Sequence, residues 1–367
     1  MISPSEVAEK ERRAREIMQE KGLGALVLST QANFAWITCG GDNHVSIASE
    51  NGVASAVMTP DAKYIVCDKI EARRIADEEI QGRGFEVVSY DWWKADKQSI
   101  LERLADGRPI GSDAPLPGAR AVEPAVAARR RSLTPEEIER YKWVGLNTGE
   151  SLADACREIR PGMTEHEIAG LLDHKIVERG MIPNVTLIAT DERISRYRHP
   201  IPSEKKLEDY AMLVIGARRW GLVVSATRLV SFGKLTDELR RKHDAVVRVD
   251  AEFIAGTKVG ATVGETFSRG QKAYETTGFA EEWTLHHQGG PTGYLARDYR
   301  ANAGITDTVQ PNQAFAWNPS ITGTKSEDTI IAMEGKTEII SMVKDWPTVT
   351  VRLDDGQEMA RPDILVR

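Results

Sequence analysis

LVIGARRWGLVVSATRLVSFG, Leu213 to Gly233, decides how the rest of this chain is read. Two apolar runs flank Ala217-Arg218-Arg219-Trp220-Gly221, the pattern of a buried β-hairpin, with β-branched residues in the strands and Gly closing the turn. Histidines and glutamates downstream are the material of a hydrolase centre, yet the stretch itself contains no carboxylate. Two readings stay open: the ligand-bearing frame of a metalloenzyme, or that frame with its metal ligands replaced.

At 367 residues the chain exceeds what one core usually supports, so two domains are expected. No apolar run approaches the roughly 20 residues that span a bilayer. The N-terminus MISPSEVAEKERRAREIMQEKG is charged and amphipathic, without the apolar core or cleavage site of a secretory signal, and a cytoplasmic location is expected. A net charge of -7 with both signs interspersed argues against nucleic acid and membrane as partners. Cys39, Cys67 and Cys156 are odd in number and far apart, so neither a disulfide framework nor a thiolate metal site is indicated.

Outward from the hairpin, residues 1–132 read as an α/β unit. An opening helix (Pro4 to Lys21) precedes the short strands GALVLST, NFAWIT, VASAVMT and KYIVCD, then a helix over Ile70 to Ile80 and the strand FEVVSY. Pro115 to Arg120 looks like the exit from this domain, and Thr134-Pro135-Glu136-Glu137 opens a new helix with Pro and acids in its first turn. Residues 133–367 contain a repeat. A shift of 98 residues superposes Gly162 on Gly260, Thr164 on Thr262, Glu167 on Glu265 and Gly180 on Gly278. Each copy is a Gly-x-Thr turn capping a helix that a second Gly closes. A duplicated domain places its functional groups on the sheet between its halves.

On these residues the chain resembles the superfamily of methionine aminopeptidase, Xaa-Pro aminopeptidase, Xaa-Pro dipeptidase (prolidase) and creatinase. The resemblance rests on NFAWITCGGDNHV (Asn33 to Val45), Ser-Ala-Thr-Arg (225–228), the HHQGG segment and Ser-Glu-Asp-Thr (326–329). It implies an α/β (α+β) fold class: a creatinase-like N-terminal domain over 1–132 and a duplicated pita-bread catalytic domain over 133–367. It also implies a homodimer acting on a small molecule. The superfamily's peptidases hold two metal ions with five ligands, in the order Asp, Asp, His, Glu, Glu. Carried over by position, both Asp sites fall on Val214 and Ser225, the His on His287, the first Glu on Asn318 and the last on Glu327. Two metal ions about 3.5–4 Å apart need bridging carboxylates, and here they are missing, so no metal and no other cofactor is expected.

Creatinase is the precedent for a member that works without metal, using a His as acid/base. Arg196-Tyr197-Arg198-His199-Pro200 matches its His segment, about two residues closer to Gly216, which makes His199 the leading catalytic candidate. The expected centre joins catalytic His199, His287 and Glu327, the last orienting or charging a histidine, to Tyr294 and Asn318 as substrate-binding groups. Arg198 is the candidate for a substrate carboxylate, and Asp42 and His44 for a loop reaching a dimer mate's site. For His199, His287 and Asp42–His44 the competing readings are a loop histidine, a hydrogen-bonded core histidine and a surface Asx turn. The leading expectation is a metal-independent hydrolase cleaving an amide or amidine C–N bond in a small, carboxylate-bearing molecule. One alternative is an Xaa-Pro dipeptidase-like metallopeptidase with altered ligands, using Mn, Co or Zn. The other is a non-catalytic ligand-binding module.

Overall fold

The computed structural model describes residues 3–94 and 96–367. Two compact units are present: residues up to Glu137 with the hairpin tip Trp220–Leu222, and Ile138–Arg219 with Val223–Arg367.

The first unit contains α1 (Pro4–Lys21), β1 (Ala25–Thr30), α2 (Gln31–Ile37), β2 (Asn51–Met58), β3 (Lys63–Asp68), α3 (Ala72–Arg74), β4 (Glu86–Tyr90), α4 (Lys97–Ala105), β5 (Ile110–Ser112), β6 (Arg120–Ala121) and α5 (Glu123–Arg130). Ser3 caps α1, Pro4 starts it and Gly22 ends it at φ 61°. The strands form one mixed sheet in the order β4-β3-β2-β1-β5-β6. Two readings are corrected here. NFAWIT is not a strand: Thr30 caps the backbone N–H of Asn33 and starts α2, every residue of which is buried. A short apolar run carries no period that separates a buried strand from a buried helix. The helix expected over Ile70 to Ile80 is broken into α3 and a π-helical turn, Ile75–Glu79.

The second unit begins with α6 (Pro135–Glu158), whose first turn lies in the first unit, and continues with α7 (Glu165–Glu178), β7 (Ile182–Thr190), α8 (Glu192–Arg196), β8 (Tyr210–Arg219), β9 (Leu222–Ser231), α9 (Asp237–Gly256) and α10 (Val263–Thr276). Then come β10 (Gly289–Thr292), β11 (Gln313–Trp317), β12 (Ser320–Ile321), β13 (Thr324–Lys325), β14 (Asp328–Met333), β15 (Lys336–Ile339), β16 (Thr348–Arg352), β17 (Glu358–Pro362) and β18 (Leu365–Val366). The duplication is visible in detail. Thr164–Glu167 and Thr262–Glu265 are both complete capping boxes, each opening a helix of 14 residues. Gly162 and Gly260 have φ of 91° and 90°, and Gly180 and Gly278 of 70° and 84°, conformations that favour glycine at all four positions.

The hairpin is β8–β9, turned at Trp220 (φ 53°) and Gly221 (φ 78°) as a two-residue loop with both φ positive. It lies in the sheet β18-β9-β8-β7, while β10-β11-β14-β15 forms the corresponding sheet of the second half. The two sheets are stitched where β9 meets the start of β14. Thr227 N–H donates to Glu327 O (3.1 Å), and the Thr329 hydroxyl bonds both backbone groups of Ser225.

Beneath this junction, α9 buries His243, whose Nδ1 lies 2.9 Å from the Thr324 hydroxyl and Nε2 3.3 Å from Pro362 O. Burial pushes His243 down to about 4, against the pull of Asp363. A histidine lowered in the fold stabilises it above its unfolded value, near 6.5, and that contribution is lost as pH falls from there towards 4. The Tm of the protein is expected to drop more between pH 7 and 4.5 than that of His243→Gln, by a few °C, as read by calorimetry; parallel curves would assign the acid lability to other groups.

Candidate active site

The segment Lys325-Ser326-Glu327-Asp328 runs extended from β13 into β14, so alternate side chains take opposite faces. Lys325 and Glu327 meet on one face, Lys325 Nζ lying 2.6 Å from Glu327 Oε2, both nearly fully buried. The Thr227 hydroxyl donates to the same oxygen (2.7 Å), and Arg297 reaches Oε1 at 3.4 Å. Burial alone would raise Glu327, but Lys325 and then Arg297 outweigh it and hold the carboxylate below its usual range. On the opposite face the Ser326 hydroxyl donates to Asp250 Oδ2 (2.5 Å), and Asp328 accepts from Arg361 (2.6 Å) and Arg228 (2.9 Å).

Three histidines gather nearby. His199 follows α8, while His286 and His287 lead into β10, and one ring nitrogen from each lies within 4.8 Å of the others. His286 Nε2 and His199 Nε2 are 3.1 Å apart, a separation that requires one ring to donate and the other to accept. His286 Nδ1 faces the Ser320 hydroxyl at 3.4 Å. The backbone N–H of Gly289 donates to His287 Nδ1 (3.3 Å), which places the neutral ring's own proton on Nε2. Burial, then Lys325, takes His286 down to about 2; burial, then Arg297 and Arg300, takes His287 to about 4. His199, exposed by area but with Nε2 turned inward, is lowered by burial and Lys325 with Glu327 opposing. At neutral pH the rings are uncharged.

The structure therefore brings His199 and His287 together, and adds His286, Lys325, Arg297 and Thr227 to them or to Glu327. Glu327 takes its hydrogen bonds from Lys325, Thr227 and Arg297 and makes none to a histidine. Arg198 is engaged by Glu282 (2.6 Å) and the Thr322 hydroxyl (2.9 Å) rather than presented to a ligand. Asn318 is buried at the end of β11, its N–H bonded to Gln288 O (3.1 Å) and its side-chain oxygen left without a partner. Tyr294 is buried just past β10. Asp42 and His44 lie in the first unit, where His44 N–H and Nδ1 both meet Asp42 Oδ1 at 3.1 and 2.5 Å, the local geometry of an Asx turn.

A two-metal centre does not fit these donors. Val214 packs among Leu187, Ile194, Met212, Leu229 and Ile364, and the backbone at Ser225 is committed to Thr329. Glu327 already neutralises a buried ammonium, and His287 directs a proton, not a lone pair, from Nε2. A dication there would have to displace Lys325 and rotate His287.

Comparison with known proteins agrees with the fold. Residues 140–352 match the model of metallopeptidase family M24, and residues 11–159 that of the creatinase/prolidase N-terminal domain. An uncharacterised peptidase of Staphylococcus saprophyticus is 21% identical over 351 residues, covering 85% of this chain and 96% of the relative. An Xaa-Pro dipeptidase of Lactobacillus helveticus is 21% identical over 230 residues, 60% of this chain and 62% of that one. Among solved structures, the prolidase from Pyrococcus horikoshii OT3 superposes with a TM-score of 0.76 at 18% identity, covering 92% of this chain and 99% of its own; the likeness is one of fold.

The Lys325–Glu327 pair makes a stability prediction. Lys325→Met strands a buried carboxylate and is expected to cost about 3 kcal/mol in urea unfolding, most of it restored in Lys325→Met/Glu327→Gln. A coupling below about 0.5 kcal/mol would mean that water reaches the pair and screens it.

Proposed function

The chain belongs to metallopeptidase family M24, and from that premise we propose a metal-independent hydrolase that cleaves a C–N bond in a small, polar, carboxylate-bearing molecule. The observation that carries the proposal is the buried Lys325 ammonium seated on Glu327, the last carboxylate left at the family's ligand positions. The positive charge that a metal supplies in such a centre is here part of the polypeptide.

The residues then divide the work. With His286 Nδ1–H directed to Ser320 and His286 Nε2 accepting from His199 Nε2–H, His199 keeps a lone pair on Nδ1. That nitrogen takes a proton from water as the water oxygen adds to the acyl carbon; the C–N bond breaks, and His199 returns the proton to the leaving nitrogen. One water is consumed and the side chains end as they began. The low basicity of His286 keeps it a neutral acceptor, so the imidazolium formed on His199 is stabilised without a second charge appearing. His287 Nε2–H and Lys325 supply donors for negative charge developing on the acyl oxygen. Asn318 and Tyr294 orient the substrate.

The convergence of three ring nitrogens within 4.8 Å supports a second reading, a metallopeptidase with altered ligands built on His199, His286 and His287. Metal analysis and activity separate the two. Protein dialysed against chelator is expected to keep its turnover, and His199→Ala to lose at least about 100-fold in kcat. Stoichiometric Mn, Co or Zn, with turnover abolished by chelator and restored by the metal, would replace the first reading with the second.

A further inference from the structure

The charges at the three histidines are one-sided. Lys325, Arg297, Arg300 and Arg198 are the foremost cations that act on them, and Glu327 the foremost carboxylate. Glu327 is spent, with one oxygen on Lys325 and Thr227 and the other on Arg297, and Arg198 is paired with Glu282. Arg300 differs from these: it is exposed and makes no ion pair or hydrogen bond among the described residues. Its place is fixed by the backbone, since Ala301 N–H bonds Gly289 O (2.9 Å) and Asp298 N–H bonds Pro291 O (2.9 Å). Residues 298–301 thus run alongside β10, which His287 enters, and Arg300 stands beside the cluster as a guanidinium awaiting an anion. The orphan oxygen of Asn318, bonded through its backbone to Gln288, lacks only a donor.

Resting on the hydrolase reading, we propose that the substrate is an N-acylated carboxylic acid, an N-acyl amino acid or N-blocked peptide, and that a free α-ammonium or a guanidinium is rejected. Arg300 takes the carboxylate, the Asn318 oxygen accepts an amide N–H, and the scissile bond is an amide, not an amidine. Glu327, the carboxylate that acts on the histidines, is already paired, so a cationic nitrogen would stand among cations of its own sign. The reaction is hydrolytic: water adds its oxygen to the acyl carbon, the amide C–N bond breaks, and the acid and amine leave with water's two hydrogens between them.

Acetylglycyl-L-proline and glycyl-L-proline test this, because they share one prolyl amide and differ only in the blocked amine; creatine supplies the guanidinium. Binding is measured by calorimetry on His199→Ala and cleavage by proline release from the native protein. The acetylated peptide is expected to bind at least about tenfold more tightly than the free one, with creatine weaker still. Arg300→Gln is expected to weaken the acetylated acid about tenfold while leaving its C-terminal amide unchanged. Tighter binding of the acetylated peptide without proline release would uphold the recognition proposal and overturn hydrolysis of that bond. Equal or better binding of glycyl-L-proline or creatine, or no binding of the acetylated peptide at about 10 mM, would overturn the recognition proposal and leave the hydrolase reading standing.

Discussion

The candidate site depends on a lattice of buried charge behind it. Asp250 on α9, Arg361 on β17, Asp328 on β14 and Arg228 on β9 form a chain of ion pairs with contacts of 2.6 to 2.9 Å, all at 1% exposure or less. Ser326 joins it through Asp250, and Ser341 through Asp328 at 2.6 Å. Four elements distant in sequence meet there. Such a lattice contributes little net stability when complete, because desolvation cancels most of the attraction, but loss of one member costs several kcal/mol. It therefore acts as a constraint on geometry. Because side chains alternate along an extended segment, fixing Ser326 and Asp328 from behind fixes Lys325 and Glu327 in front.

The same economy governs the front face. A carboxylate as buried as Glu327 needs a counter-charge, from a metal or from the chain. Here Lys325 and Arg297 provide it, with the Thr227 hydroxyl as a neutral donor, and after burial their positive charge adds to the pressure against protonation of the histidines. Histidines held neutral beside fixed cations are suited to accepting and donating protons near negative substrates, and poorly suited to holding further positive charge. The chemistry follows from the sign of the local field more than from any single residue.

Much of this was legible in the sequence. The repeat at an offset of 98 became two capping boxes on helices of equal length, because a cap is a local device whose residues must be spelled out in order. The hairpin was equally plain, since its two-residue turn needs Gly221 and its strands need their apolar runs. What stayed hidden was non-local. HHQGG offered two histidines, and only the fold shows that His286 is the one hydrogen-bonded to His199. Lys325 carries no sequence signal of its own, and only the strand register faces it onto Glu327. Arg198 was the candidate for a substrate carboxylate, but Glu282, over 80 residues away in sequence, holds it.

The apolar hairpin and the buried Lys325–Glu327 pair are coupled through charge balance. Val214 contributes to an apolar cluster with Leu187, Met212 and Leu229, so this point of the hairpin strand is part of the core. With Val at 214, a dication at this point would face few negative charges. Glu327, buried as it is, needs a counter-charge, and Lys325 is turned onto it. Asp placed at position 214 alone would bury an unpaired charge in hydrocarbon without creating a metal site. A two-metal centre on this frame would demand at least acids at 214, 225 and 318 together with the release of Lys325. The arrangement is thus a separate solution to charge balance on the same hairpin frame.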